Sequence, residues 1–241
     1  MSIARLLVPT ALLLAAGTAV FAVYRGDLAV PSRWNPWAPL DVTEAPGPFT
    51  RWKLSRMAEA PPAVCYAWLD GAGVRHAPVY DRAETDDCGW QGATRLISVG
   101  SVRLSTPTPL TCPVVAALAI WERHALQPSA YVHLGSRVTQ IDHLGSYACR
   151  NIYGGSADRR SEHARANALD IAGFRLANGR RISVRQDWSD ATVVPQPLPG
   201  QFLREAEKGA CPLFSAVLSP AYNDAHRDHF HFDRGPFRVC S

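Results

Sequence analysis

Ala168-Leu-Asp170-Ile-Ala-Gly-Phe-Arg-Leu176 leads through Ala177-Asn178-Gly179 into Arg180 to Trp188. An Asn-Gly pair between two such runs is a hairpin signal, because its tight turn needs positive φ. Outward from this hairpin, Arg137 to Leu144 is a further expected strand, and His229 to Asp233 a short one before Gly235-Pro236. Helices are expected from Cys112-Pro113 to about Leu126, where proline sits near the start and apolar residues fall at helical spacing, and from Phe202 to Lys208. Helices mixed with antiparallel strands predict an α+β domain, a small antiparallel sheet with flanking helices, stabilised by disulfides.

The chain has 241 residues, and its first 26 are set apart. Leu6 to Tyr24 is an uncharged apolar run of 19 residues, and a helix of that length reaches roughly 28 Å at about 1.5 Å per residue, enough to cross a bilayer. Without a clean small-residue cleavage site it is expected to be an uncleaved anchor rather than a removed signal peptide. Residues 27–48 hold Pro31, Pro36, Pro39, Pro46 and Pro48 and are expected to be a stiff extended linker. Residues 49–241 then form one domain.

Six cysteines, 65, 88, 112, 149, 211 and 240, show no C-x-x-C pair. Behind an export segment they predict up to three disulfides in an oxidising compartment. Loop length alone suggests pairing between sequence neighbours: 65 with 88, 112 with 149, and 211 with 240. The net charge of +4 is small, and the basic residues are scattered apart from Arg159-Arg160 and Arg180-Arg181. No basic stripe or aromatic stacking platform of a nucleic-acid binder is visible. A mild attraction to an anionic wall polymer or lipid surface is all this charge supports.

The chemistry is concentrated in two stretches, Ser161-Glu-His163-Ala-Arg-Ala-Asn-Ala168-Leu-Asp170 and His226-Arg-Asp-His229-Phe-His231. Asp170 falls in a strand of otherwise apolar residues, where an ionised carboxylate needs a cation. His163, seven residues upstream, must arrive from the loop feeding that strand. His229 and His231 are two apart and share a face if extended. Two imidazoles and one carboxylate are what a hydrolytic zinc site takes from the protein, leaving a position for the water that attacks. Spacing does not choose between His229 and His231 as a ligand, and Asp170 paired with an arginine is the competing reading. His124, His133 and His143 are expected to be structural and His76 to lie at the surface. Asp187 to Asp190 reads as the hairpin exit.

Ser161-x-His163-x4-Ala168-x-Asp170 resembles the signature of the LAS metallopeptidases, with Ala166 where that signature has glycine. His226-x-x-His229-x-His231 is similar to the tail of the penicillin-insensitive murein endopeptidases. With Gly145-Ser-Tyr-Ala-Cys149-Arg150-Asn151-Ile152 added, the chain from about Cys65 to Cys240 resembles the bacterial extensin-like C-terminal domain family. The resemblance implies a LAS-like fold and His163, Asp170 and His231 as zinc ligands, with His229 or His226 as general base. Arg150 is a candidate to hold the oxyanion or a substrate carboxylate, with Tyr147 and Asn151 as weaker ones. Ser161 is expected to orient the ligand loop. The function expected is that of a periplasmic zinc peptidase anchored in the bacterial inner membrane and acting on peptidoglycan peptides. The alternatives are a non-catalytic wall- or protein-binding module that keeps the zinc and, for location, a secreted or periplasmic protein after signal cleavage.

Overall fold

The computed structural model describes residues 4–152, 159–189, 195 and 197–241, with side chains from Pro9 onward. Three helices come first: α1 (Ala4–Arg25), α2 (Thr50–Glu59) and α3 (Pro62–Gly71). Five strands follow, β1 (Arg75–Pro78), β2 (Arg82–Thr85), β3 (Cys88–Trp90), β4 (Ala93–Val99) and β5 (Val102–Thr111). Next, α4 (Cys112–Trp121) runs through a π-helical turn at Glu122–Leu126 into α5 (Gln127–Leu134), and β6 (Val138–Gly145) returns to the sheet. After β7 (Ala168–Leu176) come β8 (Arg181–Ser183), α6 (Val184–Asp187), α7 (Leu198–Ala210), β9 (Ala216–Leu218), β10 (Phe230–Asp233) and β11 (Val239–Cys240).

The domain is α+β, but its sheet is neither small nor wholly antiparallel. Nine strands form it, in the order β1-β4-β5-β6-β7-β10-β9-β11, with β8 paired to β7. β5 pairs with β6 in parallel, as does β9 with β11. The first parallel pair follows from the long α4–α5 connection, since parallel neighbours need a crossover. β4 and β5 escape a pattern reading because Pro107 and Pro109 interrupt β5, and proline argues against a strand.

Every residue of α4 is buried, as expected of a helix apolar on all sides. At its end Trp121 donates from Nε1 to Ala206 O at 2.7 Å and packs on Phe174 and Phe232 of the sheet, with centroids 6.2 and 5.3 Å apart. Each such large side chain contributes about 1.5–3 kcal/mol by leaving water. This packing fixes which sheet face is the helix face: Phe174 and Phe232 point to it, and the other face is left for function.

Three disulfides close the domain: Cys65–Cys112, Cys88–Cys149 and Cys211–Cys240. Two of the three neighbour pairings expected are therefore corrected. Loop closure entropy changes slowly with length, so it is a weak guide against packing; α3 lies on α4 and brings Cys65 to Cys112.

Residues 27–48, expected to be a linker, lie against the domain. Lys53 Nζ donates to Ser32 O at 2.7 Å, Trp68 Nε1 to Leu40 O at 2.7 Å and His124 Nε2 to Val42 O at 2.9 Å. The apolar run before them does form the helix α1, and Leu12, Leu13 and Leu14 on it are exposed. Among the described residues no helix is long and apolar enough to cross a membrane.

Candidate metal centre

β7 and β10 supply two of the three residues. They pair antiparallel with His231 directly opposite Asp170 and Phe232 opposite Leu169. Since Phe232 faces the helices, the alternation of a strand turns His231 and Asp170 to the open face together; an irregularity of β7 between Ile171 and Gly173 lets Phe174, four residues after Asp170, face the helices. His163 enters from a 3₁₀ turn, Glu162–Arg165, immediately before β7. Ser161 caps that turn, its Oγ accepting from His163 N at 3.3 Å, as the sequence anticipated for a residue that orients the loop.

Ala166, at the glycine position of the wider signature, ends the turn with φ 52° and is, among the described residues, the non-glycine with positive φ. The conformation is retained without the glycine, at a cost of about 1–2 kcal/mol. Hydrogen bonds from Ala166 N to His163 O and from Thr111 N to Ala166 O hold it. Gly235 packs so close to Glu162 that a Cβ there would lie 2.7 Å from its carboxyl carbon, which keeps the ligand turn pressed onto the segment after β10.

The donor atoms converge. His163 Nε2 lies 3.0 Å from Asp170 Oδ1 and 3.1 Å from His231 Nδ1, and His231 Nδ1 lies 2.9 Å from Asp170 Oδ1. Four-coordinate zinc, with bonds of about 2.0–2.1 Å, separates neighbouring ligand atoms by about 3.3 Å. The distal nitrogens are already committed: His163 Nδ1–H donates to Ser146 O at 3.2 Å, and His231 Nε2–H to Asp233 Oδ2 at 3.0 Å. With those tautomers, lone pairs of two imidazoles and an anionic oxygen face one point, an arrangement that only a cation or an added proton relieves. Among the described residues this trio is the set whose ligand atoms all lie within 4.8 Å of one another. The donor set and its outer partners fit zinc.

The charges of the trio act on one another. Burial pushes the Asp170 carboxyl up, but hydrogen bonds and charge from His163 and His231 outweigh it and hold the group well below the usual carboxylate range. Burial depresses His231, but Asp170 and Asp233 more than reverse this and lift it to about 9. His226 is driven down to about 4 by burial and by the charges of His231 and His229.

Around the trio opens a cleft of about 950 Å³. His226 and His229 both line it, their ring centroids 5.3 Å apart. His229 Nδ1 is held by Asp228 Oδ1 at 2.9 Å, with Nε2 3.8 Å from Asp170 Oδ1. His226 Nδ1 meets Asn223 Oδ1 at 2.7 Å. Arg150 is exposed on the cleft rim, and its carbonyl accepts from Ser161 N at 3.1 Å.

Two weaker candidates do not reach the cleft. Tyr147 donates from Oη to Glu84 and packs on Trp90, while Asn151 accepts from Arg160. His124, His133 and His143 bond to Val42 O, Glu205 and Thr106 O, away from the centre. His76 is not a plain surface residue: its ring is buried between Thr94 Oγ1 and Asp70. Trp188 packs on Phe230, and Asp190 lies outside the described residues. Asp233 was missed, although its position two residues after His231 in a strand places it on the same face.

No curated protein and no solved structure matches the chain. The profile described as extensin-like protein C-terminus matches residues 63–241, which contain the whole of this centre, its cleft and all three disulfides. The chain therefore belongs to the extensin-like protein C-terminus family.

Proposed function

We propose that the protein is a zinc-dependent peptidase of the bacterial cell envelope that hydrolyses stem peptides or peptide cross-links of peptidoglycan. One observation carries the reading: His163 Nε2, Asp170 Oδ1 and His231 Nδ1 meet at 2.9–3.1 Å on the floor of an open cleft, with two more histidines beside them. Zinc held by the trio supplies an acidified water and polarises a carbonyl. The protein's own groups do the rest. His229, its ring fixed through Nδ1 by Asp228, is placed to take a proton at Nε2 and return it to the leaving amine. His226, steadied by Asn223, is the second candidate for that role. Arg150, which lines the same cleft, would hold the oxyanion or a substrate carboxylate.

The likeness of Ser161-x-His163-x4-Ala168-x-Asp170 and of the histidine tail to LAS metallopeptidases supports the same ligands and a hydrolytic role. Three disulfides support an oxidising compartment, the periplasm. There peptidoglycan is the abundant peptide polymer, and the apolar run Leu6 to Tyr24 supports attachment to the inner membrane.

The test is to incubate the full chain with purified sacculi and to analyse released peptides with chelator, and again after zinc is restored. Release that stops and resumes is the expected outcome. Chelator-insensitive release counts against the metal. Full zinc binding with no release from any sacculus counts against catalysis and favours a wall-binding module.

A further inference from the structure

A second cleft, of about 490 Å³, lies where the β2–β3 hairpin faces α2 and α3. It meets the metal cleft along a border, for Asp87, Arg165 and Asn167 line both. Its chemistry is different. The metal cleft is rich in arginine, and two of its carboxylates, Asp170 and Asp233, are engaged by imidazoles. In the second cleft Arg82 and Arg165 are balanced by Asp86 and Asp87, and an indole, Trp90, and an amide, Gln91, join them.

Trp90 is held in place. Its Nε1 donates to Tyr80 O at 3.1 Å, Tyr147 packs edge-on at 4.9 Å, and the guanidinium of Arg82 lies 5.3 Å from its ring. The neighbouring Cys88–Cys149 disulfide ties this hairpin to the segment whose Ser146 carbonyl orients His163. A fixed indole that lines the cleft, with Arg82 over its ring, beside balanced charges and short polar groups suits a neutral, hydroxyl-rich ligand: apolar C–H groups would pack on the part of the ring that lines the cleft while hydroxyl and amide groups reach the polar rim. Because this anchor is already ordered, little conformational freedom is lost on binding.

We propose that the second cleft is a saccharide subsite, taking a neutral N-acetylated amino-sugar unit of the polymer whose peptide branch enters the metal cleft. The proposal rests on, and deepens, the peptidoglycan reading above.

The experiment titrates the full chain, in detergent micelles, with a tetramer of N-acetylglucosamine that carries no peptide, following tryptophan fluorescence and saturation-transfer NMR. Saturable binding is expected at a Kd of roughly 1 mM or below, unchanged by chelator and by His163→Ala. Trp90→Ala should weaken it about tenfold. Since that change also removes contacts that seat the hairpin, Gln91→Ala, an exposed position, is the second variant and should weaken binding about threefold. No saturation up to roughly 10 mM, binding unaltered in both variants, or equal binding of a glucose tetramer would overturn the proposal. Sugar binding that persists while sacculi release nothing would defeat the peptidase reading and leave the subsite standing; digestion without sugar binding would do the reverse.

Discussion

Asp142 on β6 and Asp170 on β7 are both buried on the open side of the sheet, and the structure treats them in opposite ways. Asp142 is surrounded by donors, two of them charged: Arg175 Nε at 3.4 Å, Arg181 Nε at 3.0 Å, and the neutral Gln140 amide, itself braced by Arg103. Arg103, Gln140, Arg175 and Arg181 stand in one row across β5, β6, β7 and β8. Asp170, five residues before Arg175 on the same strand, has no arginine against it among the described residues; its close partners are imidazole nitrogens whose other nitrogens already donate elsewhere. A buried carboxylate with its cation built in is structural. One whose close partners are imidazoles fits a cation or a shared proton instead.

The contrast can be broken most sharply at its functional end. Asp170→Ala should abolish stoichiometric zinc binding, a loss of at least about 100-fold in affinity, whereas Asp142→Asn should leave it unchanged, as measured by metal analysis after gel filtration. Removing the outer partner should cost less. Asp233→Asn leaves the trio intact but frees the His231 ring, and zinc affinity should fall about 10–100-fold by competition with a chromophoric chelator.

A third buried carboxylate sharpens the comparison, because Glu207 has neither kind of partner at Oε1. Burial pushes its pKa up to about 7, against the hydrogen bond of Ser219. A folded-state pKa above the unfolded value means stability that is complete below about pH 4.5 and lost as pH rises through about 7. Glu207→Gln should therefore raise stability by about 1–2 kcal/mol at pH 8 and change it little at pH 4.5, read from chemical denaturation at both pH values.

Asp142→Asn, with half-exposed arginines opposite, should cost about 1 kcal/mol in the same assay. The smallest effect belongs to Ala166→Gly. Relief of the left-handed backbone, about 1–2 kcal/mol, is offset by a lost buried methyl and a freer unfolded chain, so stability should move by less than about 1 kcal/mol, with zinc affinity unaltered.

The Asp170 end of the sheet was far more legible in the sequence than the arginine end. Period-two alternation put the histidines after 228 on a shared face, and an aspartate among apolar strand residues announced a buried charge. Spacing alone did not choose His231 over His229; the resemblance implied it, and the cross-strand register with Asp170 supplies the physical reason, which no local pattern contains. The row that satisfies Asp142 is likewise a product of pairing between strands distant in sequence. β1 and β5 were hidden by proline, and β2 and β3 by being short. The disulfides Cys65–Cys112 and Cys88–Cys149 follow packing that loop length does not encode. The segment at 27–48 looked free because proline forbids regular structure, yet its carbonyls serve as acceptors for Lys53, Trp68 and His124.

The central claim is that His163, Asp170 and His231 share one divalent ion. X-ray absorption at the zinc edge on the purified full chain, with parallel metal analysis, tests it most directly. The account predicts one zinc per chain, two histidine nitrogens and oxygen ligands at about 2.0–2.2 Å, lost in His163→Ala and retained in Asp142→Asn. A chain that stays metal-free in excess zinc, or zinc binding undiminished in His163→Ala, would contradict it.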